Sequence, residues 1–355
     1  MAEAEIQHDH KSDRSLKLSF APHTLYFKRP FKIAHGTRTS TSIVITELEH
    51  EGYVGYGEAS LPPYLGESHE SVLAFLTKAA LILKEKKDPA AVASLLQEID
   101  LSAPGNTAAK ASIDIALHDL NGKLWDKSCW QLFNADKNAA PFSTYTLGLD
   151  EPAVIRQKIE EGHDFKILKV KLNGEDDKAV ITTIRSMSDK PIAIDVNQGW
   201  KNKEAALEMI HWLEDKNVLF VEQPLAKNNL DDAHWLFEKS PLPLYADESI
   251  QRYGDIAKVK DCFHGINIKL MKCTGMHEAF KMITQARALK LKVLIGCMSE
   301  TSCAISAAAQ LSPFADHADL DGSFLMKNDL FDGITFNKGK ITLNDKPGIG
   351  VERKL

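Results

Sequence analysis

The sequence predicts an α/β fold in which a parallel (β/α) barrel follows a smaller α+β domain. Three observations carry that expectation. Between Phe165 and Lys272 the chain reads FKILKVKL, PIAIDVNQGW, NVLFVEQP, LPLYADES and GINIKLMK. A continuous apolar, β-branched run bounded by polar residues marks a strand buried on both faces. Each run ends in charge, at Lys169 and Lys171, Asp195, Glu222, Asp247 and Lys269. From Lys171 onward those charges are 24, 27, 25 and 22 residues apart. One strand, one helix and two loops fill each step, the repeat of a barrel of roughly 250 residues. The 355-residue length leaves about a hundred residues for a second domain.

In chain order, residues 1–14 read as a solvated tail, in spite of His8 and His10. Leu16–Phe20 alternates like a strand, and Ser42–Glu49 with Tyr53–Tyr56 reads as a hairpin turned at His50-Glu51-Gly52. Lys28–Thr41 between them, rich in basic and small residues, is expected to be a mobile loop. Gly55-Tyr56-Gly57 lacks the third glycine and the following helix of a dinucleotide fingerprint. Ser68 caps a helix to about Lys86, Asp88-Pro89 opens a second, and Asn106 opens a third through Lys127. Ala109, Ile113, Ala116, Leu117 and Leu120 form an apolar stripe on that third helix. Asp114, His118 and Asp119 beside it read as satisfied structural polar groups.

The first barrel strand is Ser143–Gly148, with its helix opening at Glu151-Pro152, and strands two to six end at the charges above. The seventh is Lys292–Gly296, followed by a helix from Ser299 to about Gln310, and a short eighth is His317–Asp321. That makes eight strands and seven full helices. The expected division is an N-terminal α+β capping domain over 1–130, a barrel over 140–322, and a C-terminal segment, 323–355, with Ile341–Leu343 as a strand, packing back on the capping domain.

Composition narrows the function. A formal net charge of −6 argues against nucleic acid, whose partners carry a basic excess. No apolar run approaches the 18 residues of a membrane span. The first fifteen residues hold no apolar signal-peptide core. Cys129, Cys262, Cys273, Cys297 and Cys303 have no paired spacing, so reduced thiols and a cytoplasmic location are expected.

Barrel strands present their C-terminal ends to one mouth, so the six charges should share a pocket. Asp195, Glu222 and Asp247 offer hard oxygen ligands, which suit Mg²⁺ or Mn²⁺ and not Zn²⁺. Lys169 and Lys171, two apart on one strand, face the same way, here inward. Lys269 stands across the mouth. A lysine beside a divalent cation and a second lysine should have its pKa lowered, which makes it a usable general base. Two such bases on opposite walls suggest a proton taken from one face of a substrate and returned to the other. A proton α to a carboxylate is only weakly acidic, so the ion must hold the developing enediolate oxygens.

LKVKL, DVNQGW, VEQP, ADES and NIKLMK together resemble the muconate-lactonizing subgroup of the enolase superfamily, over nearly the whole chain. The resemblance implies a (β/α)7β TIM-like barrel with an α+β capping domain. It implies Asp195, Glu222 and Asp247 as ligands of one Mg²⁺ per subunit, Lys171 and Lys269 as the two bases, and Lys169 at the substrate carboxylate. Asp319-Leu320-Asp321, two carboxylates two apart on the last strand, resembles the Asp-x-Asp by which dipeptide epimerases hold a free N-terminus. Gly296-Cys297-Met298-Ser299-Glu300-Thr301 resembles that family's seventh-strand segment and adds Met298 to the substrate contacts. The expected activity is epimerisation of a dipeptide at the α-carbon of its C-terminal residue, by an enzyme acting as a homo-oligomer. The alternatives are o-succinylbenzoate synthase, an N-acylamino acid racemase, and a noncatalytic barrel binding a small acid. In Ala-Glu epimerases the loop after Pro30-Phe31-Lys32 carries an arginine for the glutamate side chain. Gly36 stands there in this chain, with Arg38 two residues on, and Phe31, Ile33 and Ala34 offer apolar wall. A hydrophobic C-terminal residue is therefore expected, with Ala-Glu as the alternative.

Overall fold

A computed structural model describes residues 14–33 and 36–354. The tail histidines and Ala34 lie outside them. The first sheet is antiparallel, in the order β1 (Lys17–Ile33), β2 (Gly36–His50), β3 (Tyr53–Ser60). Strands β2 and β3 meet at His50 and Tyr53, so the turn is Glu51 (φ 48°) and Gly52 (φ 82°). Two left-handed residues make the hairpin turn whose twist matches that of the strands. Three helices follow: α1 (His69–Lys84), α2 (Val92–Ser102) and α3 (Thr107–Leu124). Ser68 caps α1 by accepting from the Ser71 amide, as its place in the sequence predicts. Helix α3 lies against β3 at glycine distance: a Cβ at Gly57 would stand 1.9 Å from the Ser112 carbonyl oxygen. Gly55 and Gly57 are thus a packing device, which accounts for the glycines without a nucleotide.

Over the described residues of Lys28–Thr41, the expected mobile loop is not what forms. After a shift between Tyr26 and Phe31, pairing of β1 with β2 resumes at Phe31–Arg38 and runs to Ile33–Gly36. The Arg29 guanidinium forks onto both Glu161 oxygens at 2.6 and 3.0 Å, and Phe27 stacks on Phe31 at 5.5 Å. Small and basic composition suggested freedom, but ladder hydrogen bonds and this ion pair across the domains hold the segment.

After a short helix α4 (Cys129–Leu132), eight parallel strands alternate with helices: β4 (Thr144–Leu147), α5 (Pro152–Glu161), β5 (Ile167–Lys171), α6 (Asp177–Arg185), β6 (Ile192–Asp195), α7 (Lys203–Leu213), β7 (Val218–Glu222), α8 (Leu230–Lys239), β8 (Leu244–Ala246), α9 (Ile256–Val259), β9 (Gly265–Lys269), α10 (Met276–Ala288), β10 (Lys292–Gly296), α11 (Ser302–Ala309) and β11 (His317–Asp319). The strands pair in sequence order, and a parallel bridge from Ser143 to Ala318 joins the first to the last. This is the expected (β/α)7β barrel, with its fifth crossover helix, α9, reduced to four residues. Helix α11 starts at Ser302 and not at Ser299, and β11 ends at Asp319 and not at Asp321. The C-terminal segment forms two small ribbons, β12 (Phe331–Asp332) with β15 (Glu352–Arg353) and β13 (Thr335–Asn337) with β14 (Lys340–Thr342). It returns to the first domain, where the Ile349 amide donates to Asp119 and the Phe331 ring meets Tyr56. Among the described residues no helix is long and apolar enough to cross a membrane, and the five cysteines are unpaired.

Buried carboxylates join the two domains. Asp114 on α3 accepts from the amides of Met276 (2.5 Å) and His277 (3.1 Å), which open α10. Glu58 on β3 accepts from the Thr301 hydroxyl and amide and from the Ala304 amide, at the start of α11. Unpaired helix amides and the positive end of the helix dipole both favour an anion there. Glu58 is wholly buried, and burial, then repulsion from Glu300, push its pKa up to about 8. The folded protein therefore binds a proton that the unfolded chain releases above its ordinary carboxyl range. Stability from this group is fully present below about pH 4.5 and is lost as pH rises toward 8. In Glu58→Gln, which keeps an acceptor for Thr301, the fall in Tm between pH 5 and pH 8 should flatten. An unchanged slope in thermal melts across that range would remove Glu58 as its source.

Candidate active site

Strands β5, β6, β7, β8 and β9 deliver the six charges to one place. Side chains alternate along a strand, so Lys169 and Lys171 both face inward, and both meet Asp195 Oδ2, at 3.1 and 2.6 Å. The Lys169 ammonium also lies 2.8 Å from Glu222 Oε2 and 2.6 Å from Asp319 Oδ2. Across the barrel, Lys269 lies 2.6 Å from Asp247 Oδ2. Strands β5 and β9 are four apart in a ring of eight, so Lys171 and Lys269 stand on opposite walls. Asp195, Glu222 and Asp247 are buried, each with a carboxylate oxygen within 4.8 Å of the others.

That donor set fits a divalent cation. The oxygens are hard, they converge, and Glu222 Oε2 is buried with no hydrogen bond of its own, the Lys169 contact lacking the angle for one. Among the described residues this is also the one group of three or more such side chains placed to hold a metal ion.

Asp319 and Asp321 converge on the first strand by a route the sequence did not foresee. Only Asp319 is in β11. Asp321 follows it in a non-strand conformation (φ −86°, ψ 4°). Even so, Asp319 accepts from the Thr144 hydroxyl at 2.6 Å and Asp321 from the Thr146 amide at 2.7 Å. A cavity opens above these groups, between the barrel mouth and the capping domain, and Phe31, Arg38 and Tyr64 wall it from the capping side. Met298 lines it too and accepts a hydrogen bond from the Tyr64 hydroxyl at 2.9 Å. Gly36 is exposed and stands outside that wall.

Charge follows proximity. Burial pushes Asp195 upward, but Lys171 and Lys169 outweigh it and bring its pKa to about 2. Burial also raises Asp247, and Lys269 and Lys272 outweigh it more strongly still. Glu222 goes the other way, up to about 8, through burial and then the Asp195 charge. The expected lowering concerns a lysine beside a bound cation; the carboxylates alone act the other way on Lys169 and Lys269. Burial does push Lys169 and Lys269 down, but Asp319 and Glu222 around the first, and Asp247 beside the second, hold each well above its usual value. At Lys169 and Lys269 the carboxylates stabilise the ammonium more than desolvation penalises it, whereas at Lys272 desolvation prevails in spite of Asp247.

Several residues of the site carry little sequence signal. Lys272 follows β9 by three residues and donates to Asp247 Oδ1 (2.5 Å), and Asn267 donates to Glu222 Oε1 (2.7 Å). Asn197 donates to Glu248, whose other oxygen is buried and unpaired. Tyr64 sits on a Pro-rich turn that nothing in the sequence ties to the barrel. NIKLMK and DVNQGW contain three of these, but only strand geometry aims them.

The chain matches two family models: the mandelate racemase / muconate lactonizing enzyme N-terminal domain over residues 19–133, and the enolase C-terminal domain-like family over 152–354. It is 53% identical to an L-Ala-D/L-Glu epimerase of Bacteroides thetaiotaomicron, over 95% of this chain and 88% of the relative. To a hydrophobic dipeptide epimerase of Roseobacter litoralis it is 31% identical, over 92% and 97%. Among solved structures, a dipeptide epimerase from Enterococcus faecalis V583 complexed with Mg and the dipeptide L-Leu-L-Tyr superposes with a TM-score of 0.90, at 30% identity, covering 95% of this chain and 99% of that one.

A proton held by Glu222 near neutral pH must leave before a cation takes that oxygen. Mn²⁺ affinity of exhaustively chelated protein should therefore fall as pH drops below about 8, by up to about tenfold per unit for one proton. Binding titrations at pH 6, 7, 8 and 9 measure it, and an affinity flat with pH would show that no such proton is displaced.

Proposed function

The chain belongs to the enolase superfamily, and from that premise we propose that it is a dipeptide epimerase, an isomerase that inverts the α-carbon of the C-terminal residue by moving a proton from one face to the other. One observation carries the reading. Lys171 and Lys269 face each other across the barrel mouth, with three carboxylates between them and Asp319 and Asp321 to one side. Pure binding of a small acid requires no base on either face, and a dehydration requires only one.

Asp195, Glu222 and Asp247 would hold Mg²⁺, one per subunit. When bound, the ion supplies positive charge for the developing enediolate oxygens and, by drawing on Asp195 and Asp247, loosens their hold on the lysine protons. Lys169, enclosed by Asp195, Glu222 and Asp319, is a fixed cation for the substrate carboxylate. Of the two bases, the neutral one removes the α-proton and the protonated one delivers its proton to the opposite face. For the next turnover in the same direction they exchange protons with solvent. Asp321 has no ammonium in ion-pair reach among the described residues, and burial with Asp319 beside it pushes its pKa up to about 7. A dipeptide N-terminus at that point supplies the missing cation, so a free amine belongs to the substrate.

Beside the reacting carbon the cavity offers apolar surface from Phe31, Met298 and Leu325, which supports an Ala-Xaa substrate with apolar Xaa. A second reading, Ala-Glu, is supported by the 53% identical L-Ala-D/L-Glu epimerase and by one observation in the cavity. Arg38 lines the same cavity, and among the described residues it has no carboxylate partner; the Phe27 ring lies 5.8 Å from its guanidinium. A charge-assisted hydrogen bond contributes about 1.5–3 kcal/mol.

Two measurements follow. In D₂O, Lys269→Ala should no longer epimerise yet still exchange the α-proton of the one epimer that Lys171 faces. Lys171→Ala should show the opposite preference. Near wild-type epimerisation in either variant would end the two-base assignment. The side-chain readings separate on kcat/KM for Ala-Leu against Ala-Glu. If Arg38 engages glutamate, Ala-Glu leads, and Arg38→Met lowers kcat/KM for Ala-Glu alone by roughly ten- to a hundredfold. A lead for Ala-Leu, with Arg38→Met neutral, returns the apolar reading.

A further inference from the structure

The three carboxylates assigned to the cation each have one oxygen that Lys169, Lys171 and Lys269 do not touch and that another group holds instead. Asp195 Oδ1 accepts the Asn197 amide at 3.0 Å. Glu222 Oε1 accepts the Asn267 side-chain amide at 2.7 Å. Asp247 Oδ1 accepts the Lys272 ammonium at 2.5 Å. The other oxygens, Asp195 Oδ2, Glu222 Oε2 and Asp247 Oδ2, face inward and meet only lysine ammonium groups. Every ligand therefore has one oxygen held by a group other than Lys169, Lys171 and Lys269, and one on the side of those lysines.

Neither side-chain tether is accounted for by stability alone. Asn267 is fully buried, its Oδ1 accepts nothing, and its one side-chain hydrogen bond goes to Glu222. A half-satisfied buried amide costs free energy that an apolar residue would avoid. The neighbouring strand even leaves space for it: a Cβ on Gly296 would stand 2.4 Å from Asn267 Oδ1. Lys272 spends all three of its N–H groups inside the protein, on Asp247 Oδ1, the Asp247 carbonyl (2.7 Å) and the Asn267 carbonyl (3.0 Å). With no proton left to offer a substrate, it differs in kind from Lys269 three residues earlier.

We propose that Asn267 and Lys272 are positioning residues that hold Glu222 and Asp247 one oxygen inward, so that the carboxylates bind a small octahedral cation singly and do not chelate a larger one through both oxygens. The proposal rests on the reading of Asp195, Glu222 and Asp247 as cation ligands. Mg²⁺ demands near-ideal octahedral geometry at short distance, whereas Ca²⁺ accepts carboxylates through both oxygens. Partners that orient a metal's ligands typically contribute 10- to 100-fold in affinity.

The test is metal binding by calorimetry on exhaustively chelated protein, with Mg²⁺ and Ca²⁺ as probes. Asn267→Leu, close in volume and without a donor, should weaken Mg²⁺ by about 10- to 100-fold and Ca²⁺ by less. Its chelated Tm should stay near wild type, and saturating Mg²⁺ should restore most of kcat. Lys272→Met removes a nearby positive charge, which by itself would tighten cation binding, so weaker Mg²⁺ binding there identifies position and not charge as the cause. Should Lys272→Met fail to fold, Asn267→Leu decides alone. Unchanged Mg²⁺ affinity in Asn267→Leu, or an equal loss for both ions, overturns this inference and leaves the ligand assignment standing. Wild-type protein that binds neither ion overturns the ligand assignment itself.

Discussion

Carboxylates at the ends of adjacent buried strands can remain charged only if cations face them, and the centre of this barrel is arranged around that constraint. Asp195, Glu222, Asp247 and Asp319 lie among Lys169, Lys171, Lys269 and Lys272, each acid within 3 Å of an ammonium. Removing one partner of such a buried pair costs about 3–5 kcal/mol, because the survivor is stranded. The carboxyls beyond ion-pair reach of any ammonium among the described residues behave accordingly. Glu248, Glu300 and Asp321 are each pushed up to about 7, by burial first, and the single ammonium of Lys169 does not spare Glu222, which burial and Asp195 push up to about 8. The site therefore holds both fixed ion pairs and acids awaiting a positive partner, and that division is what a cation and an ammonium-bearing substrate would complete.

The capping domain answers to the same arithmetic from outside the barrel. Asp114 and Glu58 leave their own helix and sheet to cap α10 and α11, the helices that follow β9 and β10. Ser60 adds a hydroxyl bond to the Ser299 carbonyl at 3.0 Å. These contacts fix the capping domain against the strand ends that carry Lys269 and Met298. The hairpin bearing Phe31 and Arg38 is anchored separately, by Arg29 on Glu161 and by the Lys327 amide on the Tyr26 carbonyl. The converging charges come from the barrel and part of the cavity wall comes from the cap, so a change in the hairpin alters the wall without disturbing the charges.

Much of this was legible in the chain itself. Five apolar runs, each closed by a charge at a near-constant step, mark a parallel sheet covered on both faces, which a doubly wound fold would share, and the number of such steps in a 355-residue chain points to the barrel with a polar mouth. The same step identifies Lys169, Lys171, Asp195, Glu222, Asp247 and Lys269 as neighbours. Alternation along a strand also puts Lys169 and Lys171 on one side with no structure needed. The tertiary structure decided what depends on contacts between distant segments. Lys28–Thr41 looks free by composition and is held by a strand partner and a glutamate more than a hundred residues away. Asp321 leaves the strand, so its convergence with Asp319 depends on Thr144 and Thr146, not on alternation. Whether desolvation or a carboxylate prevails at a given lysine was likewise beyond sequence reasoning, since Lys269 is raised and Lys272 lowered beside the same Asp247, and local pattern carries no such distances.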